Sequence, residues 1–591
     1  MSTPGTTLSE WARVVALSLR RAGVQRVLAS PGSRSTPYLA ALLTAELDVV
    51  DVVDERAAAF AALGVARASG EPAAVLCTSG TAPAHWLPAV IEASLARVPL
   101  VLLSADRPTE LAQCGAPQTV DQVKLFGAHV RFFADTGNPE PEERALAGLR
   151  RVVAQAVALA RGPDPGPVHL NLRARKPLEP RTPVNEAEHA LRRVADAVLE
   201  RPMPSSRALV VPPTEELEAA AARLCASERP LFVAGPLAAS VDAEALVELA
   251  ARSGGALFAE LTSQLRFARG RGPRFDTFDG WVGAGLFSDR GDPVAPPDVV
   301  VQLGTTPTSG VLERWLGARA PARVVLGVPD WNDPHASAEL VVRGDPSAIA
   351  RALLARLGDE PRGDPAWLEG LARLEDAGET ILDALAARWG EPAIARTLVA
   401  SLPQDARLVV GNSLPIRMLD RHGLRGLRDG ALSVLHQRGA NGIDGLVAQS
   451  FGATLADARP TAALLGDLTL LHDVGALSAA RRARAPLVLV VVANGGGRIF
   501  EMLPVAHEAA WMMPHVVTEE PIDHEALARA FGLRHRRVET SRGLAEALGE
   551  GLARPGTTLV EAVVPAHGAA ELGLELRARF ERALAARRSP R

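Results

Sequence analysis

The sequence predicts an α/β protein with three doubly wound, parallel-sheet domains. Short apolar runs rich in β-branched residues alternate with Ala- and Leu-rich helical periods along most of the chain, the pattern of parallel strands joined by helices. The length of 591 residues exceeds what one hydrophobic core supports when a domain takes about 150 residues. Breaks in the alternation place the domains at residues 1–185, 200–360 and 370–591.

In the first domain, four apolar runs are each followed by a helical period. The predicted strands are Arg26–Ala29, Asp48–Val53, Ala73–Cys77 and Leu100–Ser104. A break rich in Pro and Ser at Arg201–Ser206 then marks the boundary with the second domain.

The second and third domains continue this alternation. The second domain is predicted to contain strands at Ala208–Val211, Leu231–Ala234, Val299–Leu303 and Val324–Val328. The third is predicted to begin with a helix across Leu371–Leu402 and to contain strands at Leu408–Val410, Ala462–Leu465, Leu487–Val492 and Leu559–Val564. The third domain is therefore expected to repeat the architecture of the first.

Composition argues against several classes of protein. With 64 basic and 68 acidic residues, the net charge is −4, and no basic block suggests a nucleic-acid partner. The longest apolar run, Pro486–Ala493, is far shorter than the ~20 residues of a membrane helix and is predicted as a buried strand. Cys77, Cys114 and Cys225 are too few and scattered for a disulfide framework or a zinc site. Together with the lack of an apolar signal segment after Met1, they indicate the cytoplasm.

Two motifs in the third domain point to a metal-bound diphosphate. Gly466-Asp467-Leu468 follows one predicted strand, and Asn494 followed by Gly495-Gly496-Gly497 ends the next. Parallel strands bring both motifs to the same sheet edge, where open α/β folds bind ligands. Mg²⁺ prefers oxygen ligands and often shares its shell with phosphate, so the carboxylate, the amide and a glycine carbonyl could hold such a metal. The alternative is a strand-end turn followed by a flexible loop, because short motifs often match by chance.

This spacing resembles the signature of thiamine-diphosphate enzymes, in which Gly-Asp-Gly and a downstream Asn bracket a metal-bound diphosphate. Leu468 stands where the family usually has a small residue, and Ala493 precedes the Asn, but neither position needs to supply a ligand side chain. The resemblance implies thiamine diphosphate with Mg²⁺ (or Mn²⁺) as cofactors. It also implies metal ligation by Asp467, Asn494 and Gly496, with Gly466 and Leu468 beside the cofactor.

Thiamine enzymes of this type also need a carboxylic acid that hydrogen-bonds the aminopyrimidine and so promotes deprotonation of the thiazolium C2. Such acid–base work requires a carboxyl group held at hydrogen-bond distance in a dry pocket. Asp54-Glu55-Arg56 follows a predicted strand and opens a predicted helix, and Glu55 is the candidate acid. The alternative is an ordinary acidic first turn that the helix dipole favours.

Longer motifs in the first and third domains resemble one branch of this family, the thiamine-diphosphate enzymes of menaquinone biosynthesis, from about Leu8 to the C-terminus. The matching segments are Ser30–Pro37, Asp54–Arg56, Thr78–Ala82, Ala105–Pro108, Gln118–Gln122, Gly411–Arg417, Arg438–Gly445 and Gly495–Phe500. The resemblance implies decarboxylation of 2-oxoglutarate and 1,4-addition of the succinyl carbanion equivalent to isochorismate. The alternative is a thiamine-dependent 2-oxo-acid decarboxylase or carboligase with a different acceptor.

The resemblance also assigns residues to the two substrates. It implies that Asn412, Ser413, Arg417 and Arg438 lie on the 2-oxoglutarate side, the first two also touching the cofactor, and that Ser33, Arg34, Arg107 and Gln118 lie on the isochorismate side. Ile443 matches the residue that bends the cofactor, and Ile499, Phe500 and Leu503 match an apolar wall beside the reacting carbons. Guanidinium forks suit carboxylate substrates because each can bind a carboxylate through two hydrogen bonds. Simpler roles stay open: Arg107 bracing a turn, Arg438 capping a strand end, Ser33 capping a helix, and the apolar residues packing in a core.

The second domain departs from the family pattern at one place. Gly310 and Val311 stand where the family usually offers a Lys-Arg pair, which puts the isochorismate contact in doubt, and Arg314 could present charge from roughly the same helical face. The second domain lacks a Gly-x-Gly-x-x-Gly fingerprint, so no flavin is expected. Because the family places its cofactor between the first domain of one subunit and the third of another, the resemblance implies a homodimer or homotetramer.

Overall fold

The computed structural model describes residues 2–206, 208–270, 272–288, 291–319, 322–327, 330–358, 362–422 and 432–588. In these residues, three six-stranded sheets contain only parallel strand pairs. Helices join most of the strands, as parallel pairing requires a crossover connection. The predicted class, α/β with three parallel-sheet domains, is confirmed.

The first sheet has the strand order β2-β1-β3-β4-β6-β5. Its strands are β1 (Arg26–Ala29), β2 (Asp48–Asp51), β3 (Ala73–Cys77), β4 (Leu100–Asp106), β5 (Phe132–Asp135) and β6 (Pro167–Arg173). The helices of this part of the chain are α1 (Pro4–Arg21), α2 (Thr36–Thr44), α3 (Glu55–Ser69), α4 (Leu87–Ala96), α5 (Glu143–Arg161) and α6 (Glu186–Glu200). The residues of β3, β4 and β6 are all buried. This burial accounts for the wholly apolar sequence of β3, whereas β6 also buries His169, Asn171 and Arg173.

The second sheet has the order β12-β11-β10-β7-β8-β9. Its strands are β7 (Pro230–Ala234), β8 (Ala256–Ala259), β9 (Arg274–Phe275), β10 (Val299–Leu303), β11 (Ala322–Leu326) and β12 (Ala338–Val342). The accompanying helices are α7 (Thr214–Ala226), α8 (Ala243–Arg252), α9 (Phe278–Gly283), α10 (Gly310–Arg319) and α11 (Pro346–Leu354).

The third sheet has the order β14-β13-β15-β16-β18-β17. Its strands are β13 (Arg407–Val410), β14 (Ser433–His436), β15 (Thr461–Gly466), β16 (Pro486–Ala493), β17 (Arg534–Val538) and β18 (Gly556–Val563). The helices here are α12 (Pro365–Ala386), α13 (Glu391–Ser401), α14 (Leu414–Arg421), α15 (Leu446–Ala456), α16 (Asp467–His472), α17 (Leu477–Ala480), α18 (Val505–Glu508), α19 (Met513–Val517), α20 (His524–Phe531), α21 (Ser541–Leu552) and α22 (Gly568–Ala585). This order matches that of the first sheet, so the predicted repetition of architecture is confirmed.

Two secondary-structure predictions are wrong. Ala208–Val211 forms no strand, since Leu209 and Val211 are 70% and 77% exposed and two prolines without amide hydrogens follow. The single helix predicted across Leu371–Leu402 is two helices, α12 and α13, because Pro392 stands in the first turn of α13 and a proline cannot continue a preceding helix. Val328, at the end of one predicted strand, lies outside the described residues.

The chain divides into two compact units. One comprises Met1–Ala208, Gln437–Ala458 and His472–Arg484 and contains the first sheet with α15 and α17. The other comprises Leu209–His436, Arg459–Leu471 and Ala485–Arg591 and contains the second and third sheets. No helix in the described part of the chain combines the length and apolar character needed to cross a bilayer.

Within the first unit, α3 and α15 pack closely through glycines. A Cβ at Gly64 of α3 would overlap the carbonyl oxygen of Gln449, and one at Gly452 of α15 would overlap that of Ala61. Only residues without a side chain allow the two backbones this approach. The contact fixes the helix that begins with Glu55 against the helix that follows residues 437–445.

Candidate active site

The carboxyl edge of β15 and β16 brings the two predicted motifs together. Asp467 directly follows β15 and is 4% exposed. One of its oxygens accepts the Leu468 amide at 2.7 Å, and the other accepts the amides of Gly495 and Gly496, each at 2.9 Å. Asn494, the residue after β16, is also buried. The glycine run therefore turns back toward the carboxylate, as open α/β sheets do at a ligand site.

The backbone here requires glycine. Gly495 and Gly496 have φ values of 79° and 117°, which lie in the left-handed region that side chains disfavour. A Cβ on Gly496 would also clash with the Val517 carbonyl oxygen. The glycine run thus forms a tight backbone turn beside the Asp467 carboxylate.

The donor set fits a divalent metal bound to a diphosphate. A carboxylate has about four acceptor positions, so Asp467 keeps capacity for a cation beside its three amide partners. Among the described residues, no group of three or more His, Cys, Asp or Glu side chains could hold a metal. A metal at this edge would therefore depend on the carboxylate, the Asn494 amide, a glycine carbonyl and phosphate oxygens, which is the usual shell of Mg²⁺.

Arg498, which sequence reasoning left without a role, braces this loop. Its buried guanidinium donates to the Asn494 carbonyl at 3.1 Å, to Glu501 at 2.8 Å and to Glu519 at 2.7 Å. Burial alone would lower the pKa of Arg498, but the two carboxylates raise it. The arginine therefore stays charged and holds Asn494 in place. A charged residue directly after three glycines was the signal that could have revealed it.

The residues predicted for 2-oxoglutarate lie on two segments. Asn412 is buried after β13, and Ser413 precedes α14 with φ 69° and ψ −126°. Such a conformation costs about 1–3 kcal/mol for a non-glycine residue and occurs often at functional sites. Arg417 donates to the Ser413 carbonyl at 2.7 Å and lines a small surface cleft with Glu391, Met418 and Arg421. Arg438 lies in the turn at 437–440 of the other compact unit.

Two of the four residues predicted for isochorismate contact Ser79, and a third, Arg34, lies near Arg107. Arg107 donates to the Ser79 hydroxyl at 3.0 Å, and Gln118 donates to the Ser79 carbonyl at 3.0 Å. Arg34 is 5% exposed, and burial, followed by the nearby Arg107, lowers its pKa. Two close guanidinium groups favour an anionic ligand. No role was predicted for the Ser79 side chain, since its contacts come from distant parts of the chain.

The simpler roles considered for Ser33 and Arg107 have different outcomes. Ser33 opens a short 3₁₀ helix, Ser33–Ser35, and Ser35 occupies the N-cap position of α2. Ser33 is therefore not the helix cap. Arg107 does brace a loop, because it also donates to the Pro117 carbonyl at 2.9 Å, and this role is compatible with binding an anion.

Glu55 is the first residue of α3, and its neighbour performs the capping. Asp54 is the N-cap and accepts the amides of Arg56 at 2.8 Å and Ala57 at 3.2 Å. Glu55 is therefore not the residue that caps the helix. Burial raises the pKa of the Cys77 thiol well above its ordinary value, and the nearby Glu55 raises it further. The Glu55 carboxyl thus lies near the carboxyl end of β3.

The apolar residues predicted to lie beside the cofactor and the reacting carbons are found in short segments between longer elements. Ile499 and Phe500 share a 3₁₀ helix, Arg498–Met502, directly after the glycine run, and Leu503 follows with 43% of its surface exposed. Ile499 also packs against the core of the third sheet. Ile443 is half-buried in residues 437–445.

In the second domain, Gly310 stands where the family usually has a cationic residue, and the structure places an arginine beside it. Gly310 opens α10, and the Arg314 guanidinium lies 3.5 Å from where a Cβ on Gly310 would stand. The Arg314 side chain therefore lies beside Gly310 on α10, whereas its proposed part in binding isochorismate stays a prediction.

Comparison with known proteins extends these observations. Residues 10–125 match the family described as the thiamine pyrophosphate enzyme, N-terminal TPP binding domain. Residues 432–562 match the thiamine pyrophosphate enzyme, C-terminal TPP binding domain. Three relatives are each named 2-succinyl-5-enolpyruvyl-6-hydroxy-3-cyclohexene-1-carboxylate synthase. The one from Sorangium cellulosum is 43% identical over 95% of this chain and 94% of its own length. That from Myxococcus xanthus is 41% identical over 93% of both chains, and that from Halobacterium salinarum is 39% identical over 93% and 94%.

Proposed function

The chain belongs to the 2-succinyl-5-enolpyruvyl-6-hydroxy-3-cyclohexene-1-carboxylate synthase family of thiamine pyrophosphate enzymes, and from this premise we propose its reaction. It decarboxylates 2-oxoglutarate and adds the resulting succinyl carbanion equivalent to isochorismate by 1,4-addition, a transferase step of menaquinone biosynthesis. The relatives' shared name favours this reaction over a decarboxylase or carboligase with another acceptor.

Thiamine diphosphate supplies the nucleophilic carbon and the electron sink that decarboxylation requires. Asp467, Asn494 and Gly496 would hold Mg²⁺ (or Mn²⁺) together with the diphosphate. Gly466 and Leu468 would lie beside the diphosphate, and Asn412, Ser413 and Ile443 would contact the rest of the cofactor. The hydrogen bonds from Gly495 and Gly496 to Asp467 support this assignment, because they preorganise the turn before any ligand arrives.

Glu55 is proposed to hold a proton at hydrogen-bond distance from the aminopyrimidine. A carboxyl group is suited to this exchange when it is positioned by a fixed helix and shielded from water. The position of Glu55 at the start of α3, with Asp54 performing the capping, supports the role.

The substrates are proposed to be held as anions by arginines. Arg417 and Arg438, with Asn412 and Ser413, bind 2-oxoglutarate; Arg34 and Arg107, with Ser33 and Gln118, bind isochorismate. A buried carboxylate without a partner is costly, and a guanidinium fork offsets that cost with two hydrogen bonds. Ile499, Phe500 and Leu503 exclude water beside the reacting carbons, which favours loss of the charged carboxylate as CO₂.

The proposed assembly is a homodimer or homotetramer. Each active site combines the first domain of one subunit (residues 1–185) with the third domain of another (residues 370–591), and residues 200–360 form the central domain. The location proposed is the cytoplasm, which suits three unpaired cysteines.

The observation that carries the proposal is the Asp467 and glycine turn at one sheet edge in a chain 43% identical to a synthase of this name over 95% of its length. The test is an assay of the purified protein with thiamine diphosphate, Mg²⁺ and 2-oxoglutarate, with and without isochorismate. We expect a mass increase of isochorismate by the succinyl unit together with CO₂ release. Turnover of 2-oxoglutarate that ignores isochorismate and forms no adduct would instead favour the decarboxylase.

A further inference from the structure

Glu92 is a buried carboxylate that none of the proposed catalytic steps uses. It lies on α4 and is 2% exposed. Arg67 of α3 donates to its Oε1 at 2.8 Å, and both side chains of this ion pair are buried. A buried pair of this kind is costly to desolvate unless further hydrogen bonds satisfy it.

The additional hydrogen bonds come from the loop after Arg438. The Gly439 amide donates to Glu92 Oε1 at 3.1 Å, and the Ala440 amide donates to Oε2 at 2.6 Å. A Cβ on Gly439 would lie 2.7 Å from the Glu92 carbonyl oxygen, so the loop backbone rests directly on α4. One carboxylate thus joins α3, α4 and the loop.

The other end of the loop is fixed on α3 as well. A Cβ on Gly445 would overlap the ring of Phe60, and Gly445 has a φ of 68°. Residues 439–445 are therefore held at both ends. Arg438 immediately precedes the held segment, and Ile443 lies inside it.

We propose that Glu92 is a positioning residue, which fixes the position of the loop that carries Arg438 and Ile443. It contacts neither substrate nor cofactor. Its carboxylate fixes the Gly439 and Ala440 amides, and so fixes where Arg438 meets 2-oxoglutarate and Ile443 meets the cofactor. The expected effects on substrate and cofactor binding rest on the proposed function. The hydrogen bonds that hold the loop on Glu92 do not depend on that function.

The test compares Glu92→Gln, the double variant Glu92→Gln/Arg67→Met, and Glu71→Gln as a matched control. The double variant leaves no buried unpaired charge, which protects the fold. Glu71 forms an exposed ion pair with Arg161 in the same part of the chain, at 2.8 Å. Hydrogen exchange of a peptide spanning residues 438–445 is measured first, on the protein without added ligands. Faster exchange in both Glu92 variants, with none in the control, is expected.

Binding and kinetics then separate positioning from simple stability. We expect the KM for 2-oxoglutarate and the Kd for thiamine diphosphate with Mg²⁺, measured by calorimetry, to rise about 10- to 100-fold, because a displacement of about 1 Å has effects of that size. The KM for isochorismate should stay at the wild-type value. A lower melting temperature with unchanged exchange, KM and Kd would overturn the proposal, as would equal losses for both substrates. If the wild-type protein does not turn over 2-oxoglutarate, the proposed function is wrong. The hydrogen-exchange result would still show whether Glu92 holds the loop.

Discussion

Asp467 uses its two carboxylate oxygens for different partners. One oxygen accepts the Leu468 amide, and the other accepts two glycine amides from the next strand end. Replacing it with Ala should weaken metal-dependent binding of thiamine diphosphate about 10- to 100-fold, since both the ligand and the loop brace are lost. Calorimetric titration with Mg²⁺ measures this, with Asp405→Ala, at an exposed turn of the same domain, as control. An unchanged Kd would assign the metal elsewhere.

Glu55 should control proton exchange without controlling the fold. The Glu55→Gln variant keeps the size of the side chain but removes the acid, and α3 retains its Asp54 cap. We expect hydrogen–deuterium exchange at C2 of the bound cofactor, followed by NMR, to slow about 10²- to 10⁴-fold, the usual contribution of a positioned acid or base. Thermal stability should stay close to wild type. Exchange at the wild-type rate would remove Glu55 from this role.

His169 should make the stability of the folded protein depend on pH. It lies on β6, is fully buried, and has its Nε2 2.7 Å from the hydroxyl of Ser104 on the neighbouring β4. Burial lowers its pKa from 6.5 to about 3. Between these values the unfolded chain binds the extra proton, so stability falls as the pH drops, by about 1.4 kcal/mol per unit from this residue.

The His169→Gln variant tests this sign. Its melting temperature should fall less steeply from pH 6.5 to pH 5 than that of wild type, even if it is lower at pH 8. His189→Gln, at an exposed position of α6, is the control and should keep the wild-type slope. Parallel slopes for wild type and His169→Gln would show that His169 is protonated in the folded state.

The contacts of single side chains show which site residues could be predicted from the sequence and which could not. Asp467, Asn494 and the glycine run could be placed at one edge because strand ends follow from apolar patterns. Ser79 and Glu92 were missed as contact residues because their roles depend on packing between distant segments: Ser79 meets Gln118, and Glu92 meets Ala440. No local pattern encodes such pairs.

At the scale of elements, the contact between α3 and α15 depends on helical glycines. Gly452 lies against the Ala61 carbonyl, whereas Gly549 of α21 has open space around it. Alanine favours a helix by about 0.8–1 kcal/mol over glycine, so Gly549→Ala should keep or raise the melting temperature. Gly452→Ala should lower it, because overpacking costs about 1–3 kcal/mol. Equal effects in a thermal melt would contradict the close approach.

Most strands with complete burial were predicted, but β6 and β8, whose residues are also all buried, were not. Ala73–Cys77 and Val299–Leu303 coincide with β3 and β10, whose residues are all buried. The half-buried β5, Phe132–Asp135, was missed. Ala208–Val211 is apolar but exposed, so its composition predicted a strand that burial does not support.

At the scale of the whole molecule, the cofactor should stabilise the folded chain. A ligand that binds only the folded state adds about 2.7 kcal/mol at a concentration 100 times its Kd. Thiamine diphosphate with Mg²⁺ should therefore raise the melting temperature in a concentration-dependent way. A metal chelator should reverse the rise if the diphosphate is held through the cation, and Mg²⁺ alone is the control. A rise that is insensitive to the chelator would argue against a metal-bridged diphosphate.

The most direct measurement is a crystal structure of the protein with thiamine diphosphate and Mg²⁺. We expect one cofactor per chain, with its diphosphate and the cation on Asp467 and Asn494 and its aminopyrimidine beside Glu55 of the partner subunit. Density for the cofactor at another place, or an empty sheet edge at saturating cofactor, would contradict it.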